Sequence, residues 1–305
     1  MLYDLVGFTG SGLAHTNWKP FGDNVPERAA RLIHERKMGP AIFVFPDCFT
    51  SLGGNQYVNS SAIGDYADYL TREIIPFVDR EFRTLASREH RGCFGKSSGG
   101  YGAIIHAMKY AQHWGAIADH SGDAYFDFVY RHDWPNTLNE LAKYREPKRV
   151  AGRLRRARRV TLAQGLADGV DDGRVRRFLD AVWKKEKLST AEGHAIMNVC
   201  MAATYDPDPQ APLGFRAAVQ PRDRRDARRR AGSNWQQHDP IHLVGRYAAN
   251  LKTLQRHLHR LRLARPVPHP LRHAHPVAAA GRSRHPPHAT RNSTTITPTS
   301  TTGWT

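Results

Sequence analysis

The chain has 305 residues, 40% of them hydrophobic and 10% aromatic, which is enough for one large α/β domain with a packed core. A formal net charge of +17 suggests a nucleic-acid binder, but the charge is poorly distributed for one. Residues 1–215 hold 28 Lys and Arg against 25 Asp and Glu, and residues 216–305 hold 17 against 3, so the excess belongs to the tail.

In chain order, Leu2–Gly7 is a short apolar run that reads as a buried strand, followed by a Gly-rich loop, GFTGSG. Residues 26–37 (PERAARLIHERK) carry apolar side chains at helical spacing and predict a helix. Ala41–Phe45 (AIFVF) is continuously apolar and stops at Pro46, the pattern of a strand covered on both faces. Residues 64–82 predict a helix kinked or split at Pro76. Residues 91–94 predict a strand, 99–111 a small-residue helix, and 114–118 the next strand. Regular alternation of strand and helix implies right-handed crossovers and a mostly parallel sheet. Residues 125–215 read as a helical cap or insertion, with helices expected at 178–188 and 191–205. Residues 216–233 form an irregular basic segment, and 234–254 look globular again. From Gln255 the text is Arg, His, Pro, Ala, Ser and Thr, too poor in apolar surface to offset chain entropy, so disorder is expected there.

Cys48, Cys93 and Cys200 have no CxxC spacing, so no metal ribbon or redox pair is expected. No stretch reaches the roughly 18–20 apolar residues of a membrane span. The start has no basic region followed by a long apolar run, so a cytoplasmic protein with no membrane partner is expected. The Arg runs at 153–159 and 222–230 lack interleaved aromatics and any nucleic-acid motif, so nucleic acid is not the expected partner. Oligomeric state is not legible.

The sharpest motif is Gly95-Lys96-Ser97-Ser98-Gly99, a G-x-S-x-G elbow between a predicted strand and a Gly-rich helix. The small residues on either side let the chain turn sharply and lift the Ser97 hydroxyl into a cleft. The amide of Ser98 then points at a developing oxyanion, aided by the helix N-terminus. Gly95-Lys96-Ser97 also matches the end of a phosphate-binding P-loop, but that loop needs glycine at position 90, which holds His90. The second oxyanion donor should come from a loop after a neighbouring strand. Gly7-Phe8-Thr9-Gly10 offers the amide of Phe8 or Thr9. His120 and Asp123 follow the 114–118 strand and lie near the sheet's carboxyl edge, with Asp123 the candidate acid.

GFTGSG, FPDCFTSLGGNQYVNSSAIGDYADYLTREIIPFVDREFRT, GKSSGGYGA and HSGDAYF together resemble an esterase family. That family includes enterochelin-esterase-like proteins, S-formylglutathione hydrolases and mycolyltransferases. The resemblance covers residues 2–144 strongly, and 170–215 and 234–254 more loosely. It implies an α/β-hydrolase fold acting on carboxylic esters or thioesters, with no metal or other cofactor. It also implies Ser97 as nucleophile, amides of Phe8 and Ser98 as oxyanion hole, and a small-molecule substrate. Two departures stand out. The chain begins almost inside the strand at Leu2, so its N-terminus reads as truncated. The family's late acid and histidine are missing, and no carboxylate follows Asp239. The Arg/His/Pro-rich end reads like a GC-rich gene translated out of frame. The catalytic base is therefore unassigned, and impaired activity is expected.

Overall fold

The computed structural model describes residues 1–145, 173–216 and 234–260. The Arg runs, the irregular segment 217–233 and the tail beyond residue 260 lie outside the described residues. The fold is an α/β sandwich of a parallel sheet with flanking helices and a helical insertion, as expected.

Five strands form the sheet: β1 (Leu2–Leu5), β2 (Phe43–Val44), β5 (Gly92–Lys96), β6 (Ala116–His120) and β7 (Arg256–Arg260), in the order β2-β1-β5-β6-β7. Every pairing is parallel. A small antiparallel hairpin, β3 (Asn59–Ser60) with β4 (Gly64–Asp65), stands apart from it. From β1 the chain steps outward to β2, then returns across β1 to β5 and continues the other way. The order therefore reverses between β1 and β5. Connections that diverge at such a point leave a crevice at the strands' carboxyl ends, where α/β proteins bind ligands.

The two faces of β1 serve different helices. Tyr3 and Leu5 are fully buried with Cys93, Ile117 and Trp114 against α4 (Ser98–Lys109). Leu2, Phe43 and Phe94 turn toward α1 (Val25–His34), where they border an apolar hollow of about 450 Å³. Ser97 does not line that hollow. Helix α1 starts where its sequence says it should. Asn24 accepts from the Glu27 amide at 2.8 Å, Glu27 accepts from the Asn24 amide at 2.9 Å, and Pro26 sits in the first turn.

The long 64–82 element contains two α-helical pieces, α2 (Tyr66–Asp68) and α3 (Ile75–Glu81), joined by a π-helical run, Tyr69–Ile74. Pro76 lies in the first turn of α3, and the Ile75 amide reaches back five residues to the Leu70 carbonyl. Proline has no N–H to continue the i→i−4 ladder, and the ladder slips by one residue ahead of it.

The insertion contains α5 (Phe126–Val129), α6 (Trp134–Ala142), α7 (Arg174–Val182) and α8 (Thr190–Tyr205). It packs on the outer side of α4 through Tyr101, Ile105, Phe126, Tyr130, Tyr205 and Trp235. Two sequence expectations need correction here. The helix placed at 178–188 lies at Arg174–Val182, because its apolar stripe (Val175, Phe178, Val182) starts earlier and the Lys-rich run after it is exposed. Residues 256–260 are a strand, although their composition suggested disorder. The edge of β6 pairs with backbone, whose donors and acceptors are the same in any sequence, so composition does not report such a strand.

Asp239 is fully buried and accepts from three amides: Phe126 at 2.7 Å, Tyr125 at 2.9 Å and Ile241 at 3.1 Å. It caps two helix starts at once, which accounts for an acid in the core. Asp239→Ala is expected to destabilise the domain by about 3 kcal/mol in urea titration, since it leaves buried donors unmet. A loss under about 0.5 kcal/mol would refute the capping role.

Candidate active site

Ser97 stands between the last residue of β5 and the first of α4, with φ 58° and ψ −125°. A non-glycine residue adopts that conformation only where its surroundings enforce it. Here they do. The Ser97 amide donates to the His120 carbonyl at 3.1 Å, and its carbonyl accepts from Tyr101 at 2.9 Å. The glycines two before and two after it are required by packing. A Cβ on Gly99 would lie 1.8 Å from the Leu5 carbonyl oxygen, and one on Gly95 would lie 2.4 Å from the same atom. The elbow is therefore pressed directly onto the end of β1.

The loop leaving β1 passes beside the hydroxyl-bearing carbon. A Cβ on Gly7 would be 3.7 Å from that of Ser97. Of the two amides this loop offered for the second oxyanion donor, Thr9's donates to the Gly53 carbonyl at 2.7 Å and is occupied. The Phe8 amide has no acceptor among the described residues. Its ring lies over Gly53 and Gly54, close enough that a Cβ on Gly53 would meet it at 2.8 Å. Tyr57 donates its hydroxyl to the Val6 carbonyl at 2.7 Å, fixing the same loop from below. The block LGGNQYVNS thus works as a clamp on the β1 loop. Ser98 opens α4, so its amide has no helical partner one turn back.

Six of the seven non-glycine residues with positive φ, among the described residues, sit on loops at this end of the sheet: Thr9, Gln56, Tyr57, Ser97, Ser121 and Tyr125. Strained backbone of this kind concentrates at functional sites.

Asp123, the candidate acid, lies beside the elbow. Its Oδ2 accepts from Tyr130 at 2.7 Å, Gln56 at 3.1 Å and Ser98 Oγ at 3.4 Å. Burial raises its pKa, and those hydrogen bonds only partly offset the rise. No histidine among the described residues bonds to it. Sequence reasoning missed Gln56, Tyr130 and Tyr205, which form its buried backing. The only signal for Gln56 was its position inside LGGNQYVNS.

The imidazoles that do make contacts are engaged elsewhere. His15 Nδ1 lies 2.8 Å from buried Asp4, and His106 Nε2 lies 2.9 Å from the Tyr57 carbonyl. His194 lies 2.9 Å from Asp133, and His238 packs on the Tyr205 ring. Burial pulls His106 and His238 down to about 4, so both are neutral near neutral pH. Burial pushes the Cys48 thiol up to about 12, so it stays protonated near neutral pH. Among the described residues no cluster of His, Cys, Asp and Glu could hold a metal ion. No described helix is long and apolar enough to cross a membrane.

The profile of the family described as "Putative esterase" matches residues 12–260. The chain belongs to this esterase family. Two curated esterases of Mycobacterium tuberculosis, Esterase MT1326 and Esterase Rv1288, are each 35% identical to it over 91 residues. That match covers 28% of this chain and 19% of either relative, so the chain spans about a fifth of their length. The S-formylglutathione hydrolase FrmB of Staphylococcus aureus is similar at 15% identity, with a TM-score of 0.39 over 85% of this chain and 62% of that one. The enterobactin esterase FES of Shigella flexneri is similar at 19% identity, with a TM-score of 0.35 over 47% of this chain and 35% of that one.

Proposed function

We propose that this esterase-family chain is a serine-dependent hydrolase of carboxylic esters or thioesters, working through an acyl-enzyme on Ser97. The observation that carries the reading is the conformation of Ser97, held at positive φ between β5 and the first turn of α4, beside the Phe8 loop. Attack by its hydroxyl on the acyl carbon would place the oxyanion between the amides of Phe8 and Ser98. The alcohol or thiol leaves, and water then releases the acid. Both steps need a proton acceptor. No described imidazole–carboxylate pair is joined to Ser97, so turnover is expected to be slow, close to what an oxyanion hole alone supports.

A fluorophosphonate probe tests this directly. One equivalent should attach slowly to the purified full-length chain, peptide mapping should place it on Ser97, and Ser97→Ala should abolish it. No attachment, or attachment unaffected by Ser97→Ala, removes the hydrolase reading. Salt-sensitive DNA binding in that event would favour the alternative, a non-catalytic esterase-like chain that binds polyanions through its basic end.

A further inference from the structure

The two amides offered to an oxyanion belong to separate parts of the chain, Phe8 to the loop leaving β1 and Ser98 to the first turn of α4. They can serve one oxygen only if those parts keep a fixed spacing. Tyr57 touches both. Its hydroxyl donates to the Val6 carbonyl at 2.7 Å, two residues before Phe8. Its ring lies on the backbone of α4 at Gly102, one turn beyond Ser98, where a Cβ would meet the ring at 2.5 Å. Its own carbonyl faces His106 Nε2 at 2.9 Å, a further turn along the same helix. A carbonyl can only accept, so the neutral His106 ring carries its proton on Nε2 and donates.

The backbone is strained to place this side chain. Tyr57 sits at φ 57° beside Gln56 at φ 56°, positions that bulky residues rarely adopt. Asn55 holds the turn, accepting from the Tyr57 amide at 2.8 Å and donating to the Cys48 carbonyl. Tyr57 is 2% exposed and His106 is fully buried. The same segment takes the Thr9 amide through the Gly53 carbonyl at 2.7 Å. The loop is thus gripped on either side of Phe8, at Val6 and at Thr9, and the grip at Val6 is the one that also bears on α4.

We propose that Tyr57 is a positioning residue for the oxyanion hole, spanning α4 and the β1 loop so that the amides of Ser98 and Phe8 converge on one point. The inference rests on Ser97 as the nucleophile. Loss of the hydroxyl leaves the Val6 carbonyl without its donor and lets the loop tilt. That weakens an interaction made only once negative charge forms on the reacting group, so binding before reaction is untouched.

The rate of fluorophosphonate attachment to Ser97 is measured against probe concentration on the full-length chain, with thermal melts of each variant and at a temperature below every midpoint. Tyr57→Phe should lower the saturating rate about tenfold, part of the loss that follows removal of a whole oxyanion donor, and leave the half-saturating concentration unchanged. Gly102→Ala keeps the hydroxyl but pushes the ring off α4, and should lower the saturating rate in the same way. A role confined to packing would lower the melting midpoint and leave the saturating rate of folded protein at the wild-type value. That result in Tyr57→Phe overturns the proposal and leaves Ser97 standing. A higher half-saturating concentration with an unchanged saturating rate overturns it as well, by making Tyr57 part of probe binding. If Tyr57→Phe does not fold, a wild-type saturating rate in Gly102→Ala is the overturning result. No attachment to wild type removes the Ser97 reading, and this inference with it.

Discussion

Gly99→Ala is expected to be the most damaging single-methyl change in the protein, costing about 3 kcal/mol or more in urea titration. The added carbon would lie 1.8 Å from the Leu5 oxygen, 2.6 Å from the Leu5 carbonyl carbon and 3.0 Å from the Val6 oxygen. All three are backbone atoms, so no side-chain rotation can relieve the clash. The gap between α4 and β1 has to open, carrying Ser97 away from the Phe8 loop. A misplacement of about 1 Å at a reacting centre is worth roughly a hundredfold in rate. Attachment of fluorophosphonate should fall at least that far, even under conditions where the variant stays folded. A Gly99→Ala protein with wild-type midpoint and wild-type attachment would show that the elbow does not press on β1.

Trp235→Ala is expected to cost about 3–5 kcal/mol. Trp235 is 1% exposed, with its ring in edge contact with Trp134 at 5.4 Å, Tyr205 at 5.5 Å and Tyr130 at 5.8 Å. It joins the 234–254 segment to the insertion helices α6 and α8. Removing it opens a void bordered by large rings that cannot collapse into it. The same rings back the Asp123 cluster, so the variant should also slow the reaction at Ser97. A loss under 1 kcal/mol would mean that the segment beginning at Trp235 is not part of the core.

How much of this was legible beforehand varies from element to element. The elbow was fully legible, because G-x-S-x-G encodes a steric requirement that is local to five residues. The Phe8 loop was legible as a glycine turn, but its local sequence left Phe8 and Thr9 open, and only the resemblance implied Phe8. It depends on the Gly53 carbonyl, more than forty residues away, which takes the Thr9 amide. Strand β7 was hidden because its side chains say nothing of a sheet, while its backbone pairs with β6. Tyr130 and Tyr205 stand in no motif and gave no local signal. Only the fold turns their hydroxyls toward Gln56 and Asp123. The π-helical run before Pro76 was half legible: proline announced a disturbance, but not that the ladder would slip instead of breaking.

The double cap made by Asp239 bears on how short a working version of this protein can be. The candidate site residues lie between Phe8 and Tyr130, in the first half of the chain, except Tyr205, which backs Gln56. Yet the loop that presents Asp123 is tethered at Tyr125 and Phe126 by a side chain more than a hundred positions downstream. A fragment ending before residue 239 would keep the elbow and the Asp123 loop and lose the anchor of one wall. Truncations of the chain should therefore run at least through Leu243, where the second capped helix ends, and through Arg260 if β7 is to stay paired with β6.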